Sequence, residues 1–373
     1  MTTNVPGAGR VAVLRTFPES VLDDYRRLLH LAEYDRFLNR DLITLIKLNL
    51  SWTKYFPACS SQPWQLDGVL DTMIADGYRR DKLIPIENKT VVTDPRRGAK
   101  SNGWLSVLEK YEIPFVPLTE VEWDFHQFSS KLLMLDRIFP EGIAIPKMFK
   151  GKNIVHLPTV KTHGHSTTTG AIKNAFGGLL REVRHYAHKH IHEVLVDLVI
   201  MQRELHPGMF AVMDGTVCGD GAGPRTMIPK IGNLILASAD PVAIDAIAAK
   251  IMGFDPLSIE YIRRCHEMGL GVGDPREIEV VGDDIDEINF HFKVSRSFVI
   301  WGDQMLRKGA LQPLEGVALH SPLVFWAPAA SNVYHDMIWY PIVGQRLIND
   351  FMKTDWGRLF QEYRARAGQT LSA

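Results

Sequence analysis

The stretch Lys161-Thr162-His163-Gly164-His165-Ser166-Thr167-Thr168-Thr169-Gly170-Ala171-Ile172-Lys173-Asn174 decides how this 373-residue chain reads. It follows a strand-like run, Asn153 to Val160, and leads into a small-residue helix that closes on Phe176-Gly177-Gly178-Leu179-Leu180. A strand that ends in a polar loop and then opens a helix is where α/β proteins bind ligands. The first N–H groups of a helix lack internal partners and sit at its positive end, so an anion suits them. Thr167, Thr168 and Thr169 offer an N-cap. Lys173 falls in the first helical turn, where a cation opposes the dipole. Such a local conflict is expected where an anionic ligand compensates. His163 and His165 alternate along an extended segment and so share a face. They suit proton transfer or metal binding, or simply hydrogen-bond the loop into shape.

Outward from this stretch, strand and helix patterns alternate. Gly9 to Thr16 reads as a strand and Pro18 to Leu38 as a helix with apolar residues at helical spacing. Leu42 to Leu50 reads as a buried strand carrying Lys47 and Asn49 near its end, and Ser51 to Pro63 as a loop. Helices follow over 64–78 and 104–111, with strands at 83–87 and 113–118 and a strand-to-turn at 91–95. Leu132 to Leu135 reads as a strand and Pro140 to Pro146 as a connector. Ala187 to Leu205 reads as a helix, Phe210 to Gly215 as a buried strand, and Gly219 to Arg225 as a Gly-rich loop. A strand at 233–238, helices at 242–253 and 256–268, and a strand at 277–282 complete the pattern. This order predicts an α/β fold: a mainly parallel sheet with helices on both faces. Residues 1–289 form the core, with two lobes dividing near 120–150, and 290–373 an aromatic-rich C-terminal extension.

Four further features carry chemistry. Asp214 ends a buried strand, placed to orient a histidine or bind a divalent metal. Gly219, Gly221 and Gly223 permit a backbone nest for an anion, with Asp220 and Arg225 beside it. Arg225 adds a planar fork suited to carboxylate or phosphate. Asp240-Pro241 is a helix cap with Pro at the first helical position, and Asp245 on the helix behind it needs a partner, which a loop lysine fits. His185, His188, His190 and His192 cluster; His188 and His192 stand at i, i+4, the spacing of a metal pair, although a histidine-rich surface explains them as well.

Composition narrows the function. Hydrophobic residues make up 46% and charged residues 23%, as in ordinary globular proteins. The net charge of −1 and the absence of a basic stripe argue against nucleic acid. The three cysteines, Cys59, Cys218 and Cys265, form no Cys-x-x-Cys pair, so neither an iron–sulfur cluster nor a disulfide framework is expected, and a reducing, cytoplasmic setting is. No signal peptide or transmembrane run stands out. Ser321 to Ile348 is the most apolar segment, readable as a buried or dimer-covering piece or, as a minority reading, a membrane-surface contact. Neither GxGxxG nor GxxxxGKS/T occurs, which disfavours hydride transfer and P-loop chemistry.

The chain resembles the domain-of-unknown-function family 362. The resemblance rests on Ile46-Lys47-Leu48-Asn49, Leu157 to His163, Thr169 to Gly177, Met213-Asp214-Gly215, Gly219 to Pro224, Ala237 to Asp245 and Gly269-Leu270-Gly271, in that order over about residues 40–285. It implies an α/β fold and a ligand site. Members often carry ferredoxin-like cysteine motifs, and this chain has none. The combined expectation is an enzyme doing acid/base chemistry, of isomerase, lyase or hydrolase type, on a small carboxylate or phosphate. Lys161, Thr169, Lys173, Asn174, Asp220, Arg225 and Asp245 would bind it, and His163, His165 and Asp214 would act on it. The alternative is a non-catalytic binding or redox-accessory protein, and a homo-oligomer fits either reading.

Overall fold

The computed structural model describes residues 5–90, 92–181, 187–295, 302, 305 and 331–370. Val91, His185 and Phe325-Trp326 lie outside these. The strands are β1 (Arg10–Arg15), β2 (Thr44–Lys47), β3 (Leu83–Glu87), β4 (Val116–Pro117), β5 (Trp123–His126), β6 (Ile143–Pro146), β7 (Asn153–His156), β8 (Thr159–His163), β9 (Thr167–Thr168), β10 (Met209–Ala222), β11 (Thr226–Ser238) and β12 (Glu279–Gly282). The main sheet runs β12-β1-β11-β10-β7-β2-β3-β4, with β8 added to β10 and β9 to β8. The pairs from β10 through β7, β2 and β3 to β4 are parallel, as is β1 with β12; β11 runs antiparallel to both β1 and β10. β5 and β6 form a separate antiparallel pair.

Period-two alternation divides the strand residues between two cores. Val11, Val13, Leu45, Ile154, Ala211, Met213, Leu234 and Leu236 face one core. Ala12, Leu14, Ile46, Val155, Phe210, Val212, Ile235 and Ala237 face the other. The second core takes α1 (Val21–Leu31), α2 (Pro63–Ala75), α3 (Pro95–Ser101) and α4 (Trp104–Tyr111). The first takes α5 (Leu135–Ile138), α6 (Ala171–Leu179), α7 (Ile191–Leu205), α8 (Pro241–Met252) and α9 (Glu260–Glu267). Helices thus cover both faces of a mostly parallel sheet. After a π-helix over Val333–Gly344 come α10 (Gln345–Phe351) and α11 (Asp355–Thr370). They close the second core: Phe360 stacks on Tyr55 at 3.7 Å, and Trp356 packs against Trp64 at 5.0 Å.

Several elements differ from their sequence reading. Leu132 to Leu135 is not a strand, because the N–H groups of Leu133, Met134 and Leu135 all donate to the Asp197 carboxylate and α5 starts there. Ile143–Pro146 is a strand rather than a connector. Asp94 caps α3, a helix hidden behind its Pro95 start. α7 begins at Ile191, with a tight 3-10 turn over residues 187–190 before it. The largest difference is β10, which continues through Gly219 and Gly221 as a ladder with β11 ending at Ala222↔Thr226. The Gly-rich run is therefore strand and not nest: its backbone groups pair with β11 and β8. Glycine is needed there for close approach, since a Cβ on Gly223 would collide with the Thr162 carbonyl.

Candidate functional site

β8 is buried along its whole length, so its polar side chains must find partners inside the protein. Lys161, 1% exposed, donates from Nζ to Asn49 Oδ1 at 2.5 Å, Ser51 Oγ at 3.0 Å and Cys59 O at 2.6 Å. Those three acceptors use its three protons. Burial pulls the ammonium down to about 8. The bonds also orient their acceptors. Asn49 turns its carbonyl to Lys161, and Ser51 offers Lys161 its lone pair. The amide N–H and the hydroxyl proton of these residues are left for other acceptors.

Both residues line a cleft of about 50 Å³ with Pro158, Thr159, Thr169, Gly170, Lys173, Asn174 and Pro224. Thr169 donates its hydroxyl proton to the carbonyls of Thr159 and Lys161, at 3.2 and 3.3 Å, so its oxygen can accept. Lys173 Nζ lies 5.4 Å from the Phe176 ring centre. Asn174 donates to Lys47 O at 2.9 Å, and its buried Oδ1 has no hydrogen-bond partner among the described residues. Behind Asn174, Lys47 and Glu87 make a buried ion pair of 2.7 Å.

The start of α6 is organised from a distance. Its N-cap is Gly170, not one of the threonines. The cap oxygens come from Asp245 on α8, which accepts from Ala171 N at 2.7 Å and Ile172 N at 3.3 Å. Asp245 thus pairs with the helix start and not with a loop lysine. Gly170 has φ +140° and no room for a Cβ against the Asp245 carboxylate. Burial pushes this carboxyl up to about 8, against the donations it receives. When ionised, Asp245 also lowers the cost of Lys173 in the first turn, because its charge then stands at the dipole end. Tyr261 O–H donates to Asp245 Oδ2 at 3.3 Å and lies 3.0 Å from the Thr168 hydroxyl.

His163 serves the loop. Its Nδ1 accepts from the N–H groups of His165 and Ser166, at 3.2 and 3.3 Å, and lies 3.1 Å from Ser166 Oγ. That pattern puts the ring proton on Nε2 and keeps Nδ1 occupied. Burial, then the nearby Lys173, hold its pKa well below the usual histidine range. The His165 ring lies 5.8 Å from that of His163 and 5.6 Å from that of His188. Neither His163 nor His165 lines the cleft.

The remaining expected residues stand elsewhere. Asp214 is fully buried in the second core, accepting from Tyr25 O–H at 2.8 Å, Trp64 Nε1 at 3.1 Å, and the Thr216 N–H and hydroxyl at 3.1 and 2.8 Å. Burial raises it to about 6. Its four donors are structural, and no histidine is among them. Asp220 pairs with Lys230 at 2.7 Å and accepts from Lys293 N. Arg225 donates to Ser331 Oγ. His192 stacks on Tyr261 and His188 packs edge-on to Phe176, so the two do not converge. The 3-10 turn before α7 breaks the shared helix face expected of them. Among the described residues no group of three or more His, Cys, Asp or Glu is placed to hold a metal ion. Sequence reasoning missed Ser51, Pro158 and Thr159 as cleft walls. Asn49, a polar residue in an apolar strand, was the available signal.

The sequence profile of the family described as "Domain of unknown function (DUF362)" matches residues 44–250, more than half of the chain. That span contains every cleft residue. A "Thylakoid-associated protein" of Synechocystis sp. is 24% identical over 203 residues, covering 51% of this chain and 60% of that protein. The matched region therefore spans less than two thirds of the relative. Among the described residues no helix is long and apolar enough to cross a membrane.

Proposed function

The chain belongs to the DUF362 family, whose name assigns no reaction, and we propose on the site's own chemistry that the cleft between β8 and α6 binds a small carboxylate or phosphate. One observation carries this reading: Lys161 donates to Asn49 Oδ1 and Ser51 Oγ, which leaves the amide hydrogens and the hydroxyl proton of these two cleft-lining residues to donate beside Lys173. Donors backed by a buried cation are suited to an anionic oxygen. Thr169 Oγ and Asn174 Oδ1 add acceptors for a hydroxyl or a protonated oxygen of the same ligand. The volume fits a single anionic group.

For turnover, a proton must move at the bound ligand. Lys173 is the one lining residue with an ionisable side chain, so in this reading it is the acid/base group and His163 and His165 shape the loop. The test is calorimetric titration with inorganic phosphate. Lys173→Met is expected to weaken binding at least tenfold, about 1.4 kcal/mol, and Ser51→Ala severalfold. Unchanged affinity in both variants would exclude the cleft as the site.

A second reading concerns the π-helix. Met337 and Ile342 are 70% and 69% exposed, and Val333 and Ile338 stand beside them. The relative's printed name, thylakoid-associated, favours a membrane surface as the occupant. Removing the C-terminal segment would open the second core, so surface substitution is the better probe. Met337→Ser with Ile342→Ser is expected to abolish sedimentation with anionic liposomes and leave phosphate binding intact. Absence of liposome binding by the unaltered protein would end this reading.

A further inference from the structure

Arg225 is the last residue of the turn between β10 and β11, and its side chain is nine-tenths buried. Nη2 donates to Ser331 Oγ at 2.6 Å, and the guanidinium lies 5.9 Å from the centre of the Trp52 ring. Nη1 is buried and has no acceptor among the described residues. Among the described residues no carboxylate lies within ion-pair distance of it; its polar contact is a neutral hydroxyl. Burial lowers its pKa to about 10, which leaves it charged at neutral pH. Buried charges in proteins are ordinarily paired, and a guanidinium prefers a carboxylate or phosphate oxygen to a hydroxyl.

The position of this cation links it to the cleft. Pro224, its neighbour in the chain, lines the cleft, and so does Ser51, the neighbour of Trp52. Cys59 bridges the two sides: its carbonyl accepts from Lys161, and its thiol donates to Pro224 O at 3.1 Å. Lys161 and Arg225 therefore flank one short piece of backbone. The cleft itself has space for one anionic group.

We infer that Arg225 is a second anion subsite for the ligand of the cleft, so that the ligand carries two anionic groups, such as a carboxylate and a phosphate. This rests on the cleft reading above and extends it to the ligand's second end. The second group takes Nη1 and replaces Ser331 Oγ as the acceptor at this guanidinium.

The experiment compares inorganic phosphate with phosphoglycolate, which adds a carboxylate to the phosphate, in calorimetric titrations of the full chain. The unaltered protein is expected to bind phosphoglycolate at least tenfold more tightly than phosphate. Arg225→Met should erase that advantage and leave phosphate affinity unchanged, whereas Arg225→Lys should keep part of it. The lysine variant also serves if the methionine one does not fold. Phosphoglycolate binding no tighter than phosphate, or an advantage that survives both substitutions, overturns the second subsite alone. Absence of phosphate and phosphoglycolate binding in the unaltered protein overturns the cleft reading and this one together.

Discussion

Replacing Glu87 by Ala is expected to destabilise the protein by roughly 3–5 kcal/mol, the usual cost of breaking a buried ion pair from one side. Lys47 and Glu87 are 1% and 4% exposed at their side chains, so water cannot solvate the ammonium once the carboxylate is gone. Glu87 Oε1 accepts from both Lys47 Nζ and the N–H of Asn88, and Asn88 in turn donates to Leu180 O, so the loss also loosens the turn after β3. The double variant Lys47→Met, Glu87→Leu removes both charges and should recover most of the stability. Urea unfolding of the two variants separates the cases. Equal losses in the single and double variants would show that packing, and not charge, sets the cost. Gly177 and Gly178 pack directly on the Lys47 side chain, so the effect should reach α6 and weaken phosphate binding as well.

The second large effect is expected at Asp245. Asp245→Ala removes the oxygens that accept from Ala171 and Ile172, and two buried N–H groups lose their partners. Leaving such donors unsatisfied costs about 1–3 kcal/mol each, so for the two a loss of roughly 2–6 kcal/mol is expected. Because the uncapped helix start can then take an anion in place of the lost carboxyl, added phosphate should restore stability in the variant more than in the unaltered protein. Thermal unfolding with and without phosphate reads both effects. A variant as stable as the parent would mean that the cap is dispensable.

The sheet and its flanking helices were legible because their signals are local. Leu83–Glu87 and Trp104–Tyr111 stand where period and turn residues put them. Asp240 caps α8 through the N–H groups of Val242 and Ala243, as its place before Pro241 implies. The site was legible in part. Lys173, Asn174 and Thr169 do line one cleft, and Lys161 stands behind it. What failed was everything set by partners far along the chain. The cap of α6 comes from 74 residues away, so the threonines beside it looked sufficient. Asp214 looked like a strand-end carboxylate with a task, but Tyr25 and Trp64 absorb it from the opposite face of the sheet. The glycines of β10 signalled a loop, because a strand that must lie close to another backbone uses the same residue.

The cap that Asp245 supplies also makes the cleft depend on a long-range contact. The loop of residues 161–170 and the first turn of α6 are local in sequence, yet Asp245 reaches them only when α8 lies against α6. The other cleft walls come from near residue 50, from the start of β8 and from the turn at Pro224. The cleft is thus a product of tertiary contacts between segments far apart in the chain, and a change that loosens α8 from α6 is expected to weaken phosphate binding while leaving the secondary structure in place.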